Sequence, residues 1–240
     1  MKRKAVLLGA SSSIGEKVLD RLVDSGYEVL ATSNSNEAVR REWQARYGQA
    51  VSGAALDMGS AQSVAAFVPI MENFGAPDAF INTAGATDHR LCMNFNAELL
   101  SQAAMINYLS PALLSSKAAS MMAPRSGGYI VHITSVAARR AKIGNAAYGA
   151  AKVALERFTA SLALEFARFK VRTLCVAPAF VDSPMFSAFA GDRRREIIRD
   201  IPLRRILKPE EVAETVMRFI DGGLVTTGTT VNLGNGEAVF

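Results

Sequence analysis

Short, mostly apolar runs alternate with longer amphipathic stretches along nearly the whole chain. The runs have the length of buried strands, and in the longer stretches apolar residues recur every three or four positions, which is the spacing of one helix face. Strands separated by helices form parallel sheets, because each helix returns the chain to the edge where the next strand begins. The pattern predicts strands at residues 4–9, 28–32, 51–57, 79–82, 129–133, 171–177 and 229–233.

The intervening periodicity predicts the helices. The first follows a turn at residues 9–15 and ends at Gly26, and the others are expected at 36–47, 60–74, 98–122, 146–168 and 209–221. No linker, low-complexity segment or internal repeat interrupts this order. We therefore expect residues 1–240 to form one α/β domain, a doubly wound (Rossmann) seven-stranded parallel sheet with helices on both faces.

Composition narrows the class of protein. Half of the residues are hydrophobic, which is ample for a large core. No apolar run approaches the ~18 residues needed to span a membrane, and the apolar stretch after Lys2 is too short for a signal peptide, so we expect a soluble, cytoplasmic protein. Cys92 and Cys175 lack metal-ligand spacing, so no metal is expected, and two free thiols fit a reducing compartment.

The net charge of +5 comes from scattered basic clusters. Acidic residues lie near most of them, and no aromatic residues alternate with them as in a nucleic-acid platform. Nucleic acid is therefore not an expected partner. An anionic substrate or carrier is favoured, with a plain solvated surface as the alternative.

The turn between the first strand and the first helix has the composition of a phosphate loop. Backbone N–H groups at a helix N-terminus can hold a pyrophosphate, and this turn consists of Gly9, Ala10, Ser11, Ser12, Ser13, Ile14 and Gly15. Ser13 departs from a glycine-rich fingerprint and is a candidate N-cap, with Glu16 three residues later. The alternative is a small-residue turn with a capping box and no ligand.

A second stretch carries acid/base chemistry. Tyr148 and Lys152 are four residues apart, so on a helix they share one face about 6 Å apart along the axis. An ammonium beside a phenol favours the phenolate, which would bring the phenol pKa towards neutrality. Ser135 follows a predicted strand and could donate a hydrogen bond to the carbonyl that Tyr148 protonates. The alternative is a surface pair on an ordinary helix.

Together these motifs resemble the short-chain dehydrogenase/reductase family. The resemblance rests on GASSSIG, Asp57 after the third strand, NTAG at residues 82–85, and Asn107, Ser135, Tyr148 and Lys152 in order and spacing. It extends from Lys4 to about Gly236. The middle region and the segment VAPAFVDSPM look most like 3-oxoacyl-acyl-carrier-protein reductases.

The resemblance implies a catalytic tetrad. Tyr148 would be the general acid, Ser135 would orient the carbonyl, and Lys152 would lower the phenol pKa and bind the nicotinamide ribose. Asn107 would hold a water through its backbone carbonyl. Pro111, four residues later, has no N–H to bond that carbonyl, which predicts a kink there; a kink that only shapes packing is the alternative.

The resemblance also implies the cofactor contacts. Asp57 and Met58 match the position that meets the adenine, and the turn beside it is matched by Asn82, Ala84 and Gly85. Pro178, Val181 and Ser183 match the segment that receives the nicotinamide carboxamide. Ala179 stands where the family usually has glycine.

The second strand bears on the choice between NADPH and NADH. NAD users place an acidic residue at its carboxyl end, but here that end carries Ser33 and Asn34 and no carboxylate. A 2′-phosphate would meet no repulsion there. We expect NADPH, with NADH less favoured, and name Arg40 and Arg41 as distant contributors.

The substrate side is predicted from the stretch at about 179–207. Its apolar residues Phe180, Met185, Phe186 and Phe189 could close over an acyl chain, or could simply pack on the core. Basic residues are candidates for binding an acyl carrier protein, with a solvated loop as the alternative: Arg125, Arg139, Arg140, Lys142 and Arg168. The apolar helices 98–122 and 146–168 suggest a homodimer or homotetramer.

These expectations converge on one reaction. We expect NADPH-dependent reduction of a ketone, most favourably the 3-oxo group of an acyl-carrier-protein thioester in fatty-acid or polyketide-type biosynthesis. The alternatives are a dehydrogenase or reductase of a free alcohol or ketone and, more remotely, a non-catalytic dinucleotide-sensing protein.

Overall fold

Seven strands form one parallel sheet in the computed structural model, which describes residues 2–125 and 127–236. The strands run in the order β3-β2-β1-β4-β5-β6-β7. Their bounds are β1 Lys4–Leu8, β2 Glu28–Ser33, β3 Val51–Ala55, β4 Ala79–Asn82, β5 Gly128–Ile133, β6 Val171–Pro178 and β7 Thr229–Leu233. The order reverses between β1 and β4, and a doubly wound sheet binds its ligands at this reversal, beyond the carboxyl ends of the strands.

Helices cover both faces of the sheet, which confirms the predicted fold class. Helices α1, α2 and α9 contribute buried residues to one apolar cluster, and α3, α5 and α6 contribute to the other. The helices are α1 Ser13–Asp24, α2 Glu37–Tyr47, α3 Ala61–Phe74, α4 Ala97–Ala104, α5 Ser110–Met122, α6 Ala146–Phe166, α7 Pro184–Ala190, α8 Arg194–Asp200 and α9 Pro209–Ile220. Among the described residues, no helix combines the length and the apolar character that a bilayer crossing demands.

The helix predicted at 98–122 is divided by a π-helical turn, Met105–Leu109. The Ser110 N–H bonds to the carbonyl of Met105, five residues back, instead of four. Pro111 has no N–H to offer the Asn107 carbonyl, and the widened turn accommodates that missing bond. The expected irregularity therefore occurs at Asn107, in the form of a π turn.

The N-cap of α1 is Ser12, and the expectation for Ser13 is wrong. The Ser12 hydroxyl accepts a hydrogen bond from the Gly15 N–H at 3.0 Å, while Ser13 is the first residue of the helix. Ser12 has the extended backbone conformation that an N-cap requires, with φ −77° and ψ 157°. The helix therefore begins one residue earlier than the sequence pattern suggested.

Candidate active site

A cleft with a volume of about 570 Å³ opens beyond the carboxyl ends of the central strands. Most of the residues predicted to bind a cofactor or to act in catalysis line it. They are Gly9, Ser11, Ser12, Ser13, Ile14, Ser33, Asn34, Asp57, Met58, Ala84, Gly85, Ser135, Tyr148, Lys152, Pro178, Val181 and Ser183. Three predicted residues, Gly15, Asn82 and Asn107, lie behind this wall and support it.

The phosphate loop is built around two glycines. Gly9 has a φ of +73°, and a Cβ there would lie 2.7 Å from the Ala84 nitrogen. A Cβ on Gly15 would lie 2.3 Å from the Gly9 carbonyl oxygen. The loop therefore packs backbone against backbone in front of the α1 N-terminus. The cleft runs along this loop, where N–H groups at the α1 N-terminus can hold a pyrophosphate, so the residues fit a dinucleotide.

Two threonines that sequence reasoning missed hold this loop in place. Thr32 Oγ1, at the end of β2, accepts a hydrogen bond from the Gly9 N–H at 3.1 Å. Thr83 Oγ1 contacts the carbonyl oxygens of Leu8 at 2.8 Å and Gly9 at 2.9 Å. Neither residue has a distinctive sequence spacing, because both act through chain segments that are distant in sequence.

The end of the cleft that is predicted to meet the adenine is fixed by the turn after β3. Asp57 uses its Oδ1 to accept a hydrogen bond from the Gly59 N–H at 2.8 Å. Ser110 Oγ donates to the carbonyl of Met58 at 2.7 Å. The predicted adenine neighbours, Asp57 and Met58, are thus held by contacts within the turn and by α5.

Arg40 reaches the carboxyl end of β2, much closer than the sequence suggested. Its Nη1 donates to Ser33 Oγ at 2.9 Å and to the Asn34 carbonyl at 3.3 Å. The neighbouring Arg41 instead pairs with Glu37 at 2.6 Å on the exposed side of α2. Ser33, Asn34 and Arg40 therefore form one polar corner, and Arg41 does not belong to it.

Tyr148, Ser135 and Lys152 converge on the cleft. The Tyr148 phenol is hydrogen-bonded to Ser135, whose hydroxyl also accepts a bond from the Ala137 N–H at 3.1 Å. Lys152 is buried, and its Nζ donates to the Ile133 carbonyl at 3.0 Å. The Nζ lies 5.5 Å from the centroid of the Tyr148 ring.

Burial controls the protonation of this group. Burial raises the pKa of Tyr148 to about 12, and the hydrogen bond from Ser135 offsets only part of that rise. Burial also lowers the pKa of Lys152 to about 8, against the opposing effects of Cys175 and Glu156. Desolvation of the phenolate is therefore the larger of the two effects on Tyr148, and the lowering of its pKa by Lys152 stays a prediction. The phenol keeps its proton near neutral pH.

Asn107 and Asn82 support the turns that face the cleft. The buried Asn107 side chain donates to the Ala86 carbonyl at 2.9 Å and accepts from the Ala86 N–H at 3.2 Å. Asn82 Oδ1 accepts from the Ala84 N–H at 3.1 Å. These two amides fix the backbone on both sides of Gly85.

Aromatic rings of the segment after β6 gather at the end of the cleft that is predicted to take the substrate. The Phe180 ring centroid lies 5.0 Å from that of Phe186 and 5.5 Å from that of Phe189. His89, from the loop after β4, lies 4.9 Å from Phe189, and Lys142 Nζ lies 4.3 Å from the centre of Phe180. The predicted lid therefore contacts the loops that follow β4 and β5.

Two of the basic residues predicted to contact a carrier protein lie at the wrong end of the sheet. Arg125 Nη1 donates to the Ala76 carbonyl at 2.7 Å, just before β4, and Arg168 lies in the helical turn that ends two residues before β6 begins at Val171. All strands are parallel, so the beginnings of β4 and β6 lie at the edge opposite the cleft. Arg125 and Arg168 therefore do not extend a patch at its mouth.

Arg139 is exposed, but its guanidinium is engaged by other residues of the chain. Its Nη2 lies 2.8 Å from Glu156 Oε2, and its Nη1 donates to Asn232 Oδ1 at 3.3 Å. Of the predicted basic residues, the exposed Arg140 and the cleft-lining Lys142 remain near the mouth.

Comparisons with known proteins find relatives along nearly the whole chain. A family model described as enoyl-(acyl carrier protein) reductase matches residues 9–236. Acetoacetyl-CoA reductase from an Acinetobacter species is 29% identical over 241 residues, covering 98% of this chain and 97% of that protein. A 3-oxoacyl-acyl-carrier-protein reductase from Pseudomonas aeruginosa is 31% identical over 237 residues, covering 97% and 96%. A solved short chain dehydrogenase/reductase family protein superposes with a TM-score of 0.88 at 28% identity, covering 98% and 96%.

Proposed function

The chain belongs to the short-chain dehydrogenase/reductase family, and from that membership we propose an NADPH-dependent reductase of 3-oxoacyl thioesters presented by an acyl carrier protein. The observation that carries the proposal is the convergence of Ser135, Tyr148 and Lys152 on the dinucleotide cleft. Ketone reduction is the chemistry named for the curated relatives. The cofactor and the carrier are supported by separate features.

Tyr148 acts as the acid in this proposal. Its pKa of about 12 keeps the phenol protonated near neutral pH, so it can donate a proton to the oxygen of a reduced carbonyl. Ser135 donates a hydrogen bond to the same oxygen and orients it. When bound, the nicotinamide cofactor supplies the hydride to the carbonyl carbon, which yields a secondary alcohol.

Lys152 and the turn residues bind the cofactor in this proposal. The ammonium of Lys152 lies in the cleft wall beneath the Tyr148 ring, where it can hold the nicotinamide ribose. Pro178, Val181 and Ser183 receive the carboxamide. Ser183 is suited to this because its own hydroxyl caps α7 and fixes the loop, accepting from Phe186 N at 3.2 Å.

Arg40 supports the choice of NADPH. Its guanidinium contacts Ser33 and Asn34, the corner that would face the 2′ position of the adenine ribose. A guanidinium binds a phosphate through charge-assisted hydrogen bonds, whereas a bare ribose hydroxyl gains far less from it. Space for Arg40 comes from Gly53, where a Cβ would approach the Arg40 Cβ to 3.1 Å.

The cleft mouth supports an acyl chain on an acidic carrier. Phe180, Phe186 and Phe189 give the substrate end an apolar wall, and Ile143 lies exposed beside it. Arg140 and Lys142 add positive charge on the same loop as Ile143. An acidic carrier would be attracted to that loop, while its acyl chain would enter against the aromatic rings.

We also propose that the protein is a homo-oligomer. Helices α5 and α6 leave apolar side chains exposed, with Leu113 61%, Leu164 78% and Val153 47% accessible. Two copies of such helices can bury these residues against each other. Light scattering of the wild type and of Leu113→Glu tests this: a monomeric wild type would contradict it.

The decisive experiment follows NADPH oxidation by absorbance with a 3-oxoacyl carrier-protein thioester and with its short free-thioester analogue. NADH is run in parallel, with Tyr148→Phe and Arg140→Glu as variants. We expect turnover that Tyr148→Phe abolishes, and loss of the preference for the carrier-bound substrate in Arg140→Glu.

Other outcomes select among the alternatives. Equal rates on free and carrier-bound substrates would favour a reductase of free ketones. NADPH binding without turnover on any ketone offered would contradict the reductase proposal and favour a dinucleotide-sensing role.

A further inference from the structure

One largely buried carboxylate holds both ends of the turn that carries Ser135. Glu156 lies on α6, four residues after Lys152, and its side chain is only 10% exposed. Its Oε1 accepts a hydrogen bond from Thr134 Oγ1 at 2.8 Å. The same carboxylate pairs with Arg139 at two points, Oε2 with Nη2 at 2.8 Å and Oε1 with Nη1 at 3.1 Å. Thr134 precedes Ser135 and Arg139 ends its turn, so Glu156 is bonded on both sides of Ser135.

The turn between these two anchors is short and internally bonded. Ser135 Oγ accepts from the Ala137 N–H at 3.1 Å, and the Arg139 N–H donates to the Val136 carbonyl at 3.0 Å. Because its atoms are linked in this way, a shift at Arg139 is passed back to the Ser135 hydroxyl.

The turn also packs closely on α6 beside Tyr148. A Cβ added to Gly149 would lie 2.8 Å from the Ala137 carbonyl oxygen, so only a glycine allows this approach without a shift. Arg139 further ties the turn to β7 through Asn232. The relative positions of Ser135 and Tyr148 thus depend on a tight fit that the ion pair completes.

We propose that Arg139 and Glu156 form a positioning pair, which holds the turn carrying Ser135 against the helix carrying Tyr148 and Lys152. The proposal rests on the roles assigned above to Ser135 and Tyr148. Neither partner has to touch the substrate. Because Glu156 is largely buried, removing Arg139 leaves the carboxylate poorly solvated, and removing either partner leaves the turn free to shift.

The pair also sets the charge near Lys152. Lys152 faces Tyr148 and Glu156 on its own helix, His132 on β5 and Cys175 on β6. Burial lowers the pKa of His132 to about 3 and raises that of Cys175 to about 12, so both are uncharged near neutral pH. Within this group, the Glu156 carboxylate is therefore the charge that favours the ammonium of Lys152.

The kinetic test uses Arg139→Met, Arg139→Lys, Glu156→Gln and the double variant Arg139→Met/Glu156→Gln. We expect kcat to fall about tenfold or more in Arg139→Met and Glu156→Gln, with an unchanged KM for the cofactor. Arg139→Lys should recover part of the loss. The double variant should be no slower than the worse single variant, because the two residues act as a unit.

The control is Arg21→Met, which removes the Arg21–Glu214 ion pair at 3.2 Å between α1 and α9 and should leave kcat unchanged.

The pH dependence gives a readout that simple destabilisation would not produce. Glu156→Gln removes a charge that favours protonated Lys152, so it should move the alkaline limb of the kcat profile to lower pH. Arg139→Met leaves the carboxylate unneutralised and should move that limb to higher pH. Shifts of the alkaline limb in the same direction in both variants, or additive losses of kcat in the double variant, would overturn the proposal of a positioning pair.

Amide hydrogen exchange on the cofactor-free protein separates this inference from the proposed function. Arg139→Met should speed exchange at residues 134–140 and leave β1 unchanged. Unchanged exchange in the turn overturns the positioning pair whatever the substrate. Faster exchange in a protein that reduces no ketone supports the pair and counts against the proposed reaction alone. If Glu156→Gln does not fold, the positioning pair is tested by comparing Arg139→Met with Arg139→Lys.

Discussion

Gly85 lies directly against the side chain of Lys152. A Cβ on Gly85 would be 3.2 Å from Lys152 Nζ and also 3.2 Å from Asn107 Oδ1. A side chain at residue 85 would therefore crowd the Lys152 ammonium and the Asn107 amide, which fixes the neighbouring backbone.

Gly85→Ala should lower kcat roughly tenfold, because displacement of Lys152 or Asn107 by a few tenths of an ångström misaligns groups that act together. Steady-state kinetics and thermal unfolding measure the effect. Gly223→Ala is a matched control, since its Cβ would meet the Arg218 carbonyl oxygen at 3.3 Å, away from the cleft. Equal losses of activity in both variants would contradict the explanation that Gly85→Ala acts by displacing Lys152 or Asn107.

Arg40 and Arg41 offer a test of cofactor choice within one helix. Arg40→Met removes the guanidinium beside Ser33 and should weaken NADPH binding about 10- to 100-fold, while NADH binding stays nearly constant. Arg41→Met removes a guanidinium that pairs with Glu37 and should change neither affinity. Fluorescence titration with both nucleotides provides the measurement. Equal weakening of NADPH and NADH by Arg40→Met would argue against a 2′-phosphate contact.

The sequence predicts the sheet and the convergence of the site residues because both follow from local order. Each strand is marked by its own apolar run, and Tyr148 and Lys152 share a helix face through their spacing alone. Arg40 was underestimated because its reach depends on how α2 packs against β3, where Gly53 leaves room. The pKa of Tyr148 also depends on desolvation, which residue spacing does not reveal.

The positions of the basic residues also could not be predicted from the sequence alone. Arg139, Arg125 and Arg168 look alike in sequence as candidates for an anionic partner. Arg139 pairs with Glu156, which is seventeen residues away, and no sequence periodicity predicts that ion pair. The other two precede strands, and only the parallel topology places them at the far edge.

The aromatic cluster over the cleft should discriminate by substrate length. Phe180→Ala removes a ring that contacts Phe186, Phe189 and Lys142, and should raise KM more for a long acyl chain than for a short one. Phe169→Ala, which removes a ring packed on Phe166 after α6, serves as control. KM values that rise equally for both chain lengths would place the acyl chain elsewhere.

His132 should make the fold sensitive to acid. The side chain is fully buried on β5, and neither ring nitrogen has a hydrogen-bond partner in the part of the chain that the structure describes. Its ring lies 6.2 Å from Phe80, and burial, with a smaller effect of Lys152, lowers its pKa from 6.5 to about 3. The folded protein therefore cannot take up the proton that the unfolded chain binds below pH 6.5.

It follows that stability is lost as pH falls from 6.5 towards 3, by up to about 1.4 kcal/mol per pH unit from this residue. His132→Leu should reduce that slope, because it removes the group that the unfolded chain protonates. Phe80→Leu, a substitution without a titrating group on the neighbouring strand, should lower stability by a similar amount at every pH. Urea unfolding at several pH values between about 7 and about 5 measures the three slopes. If wild type and His132→Leu lose stability in parallel, the acid sensitivity comes from other groups and His132 is protonated in the folded protein.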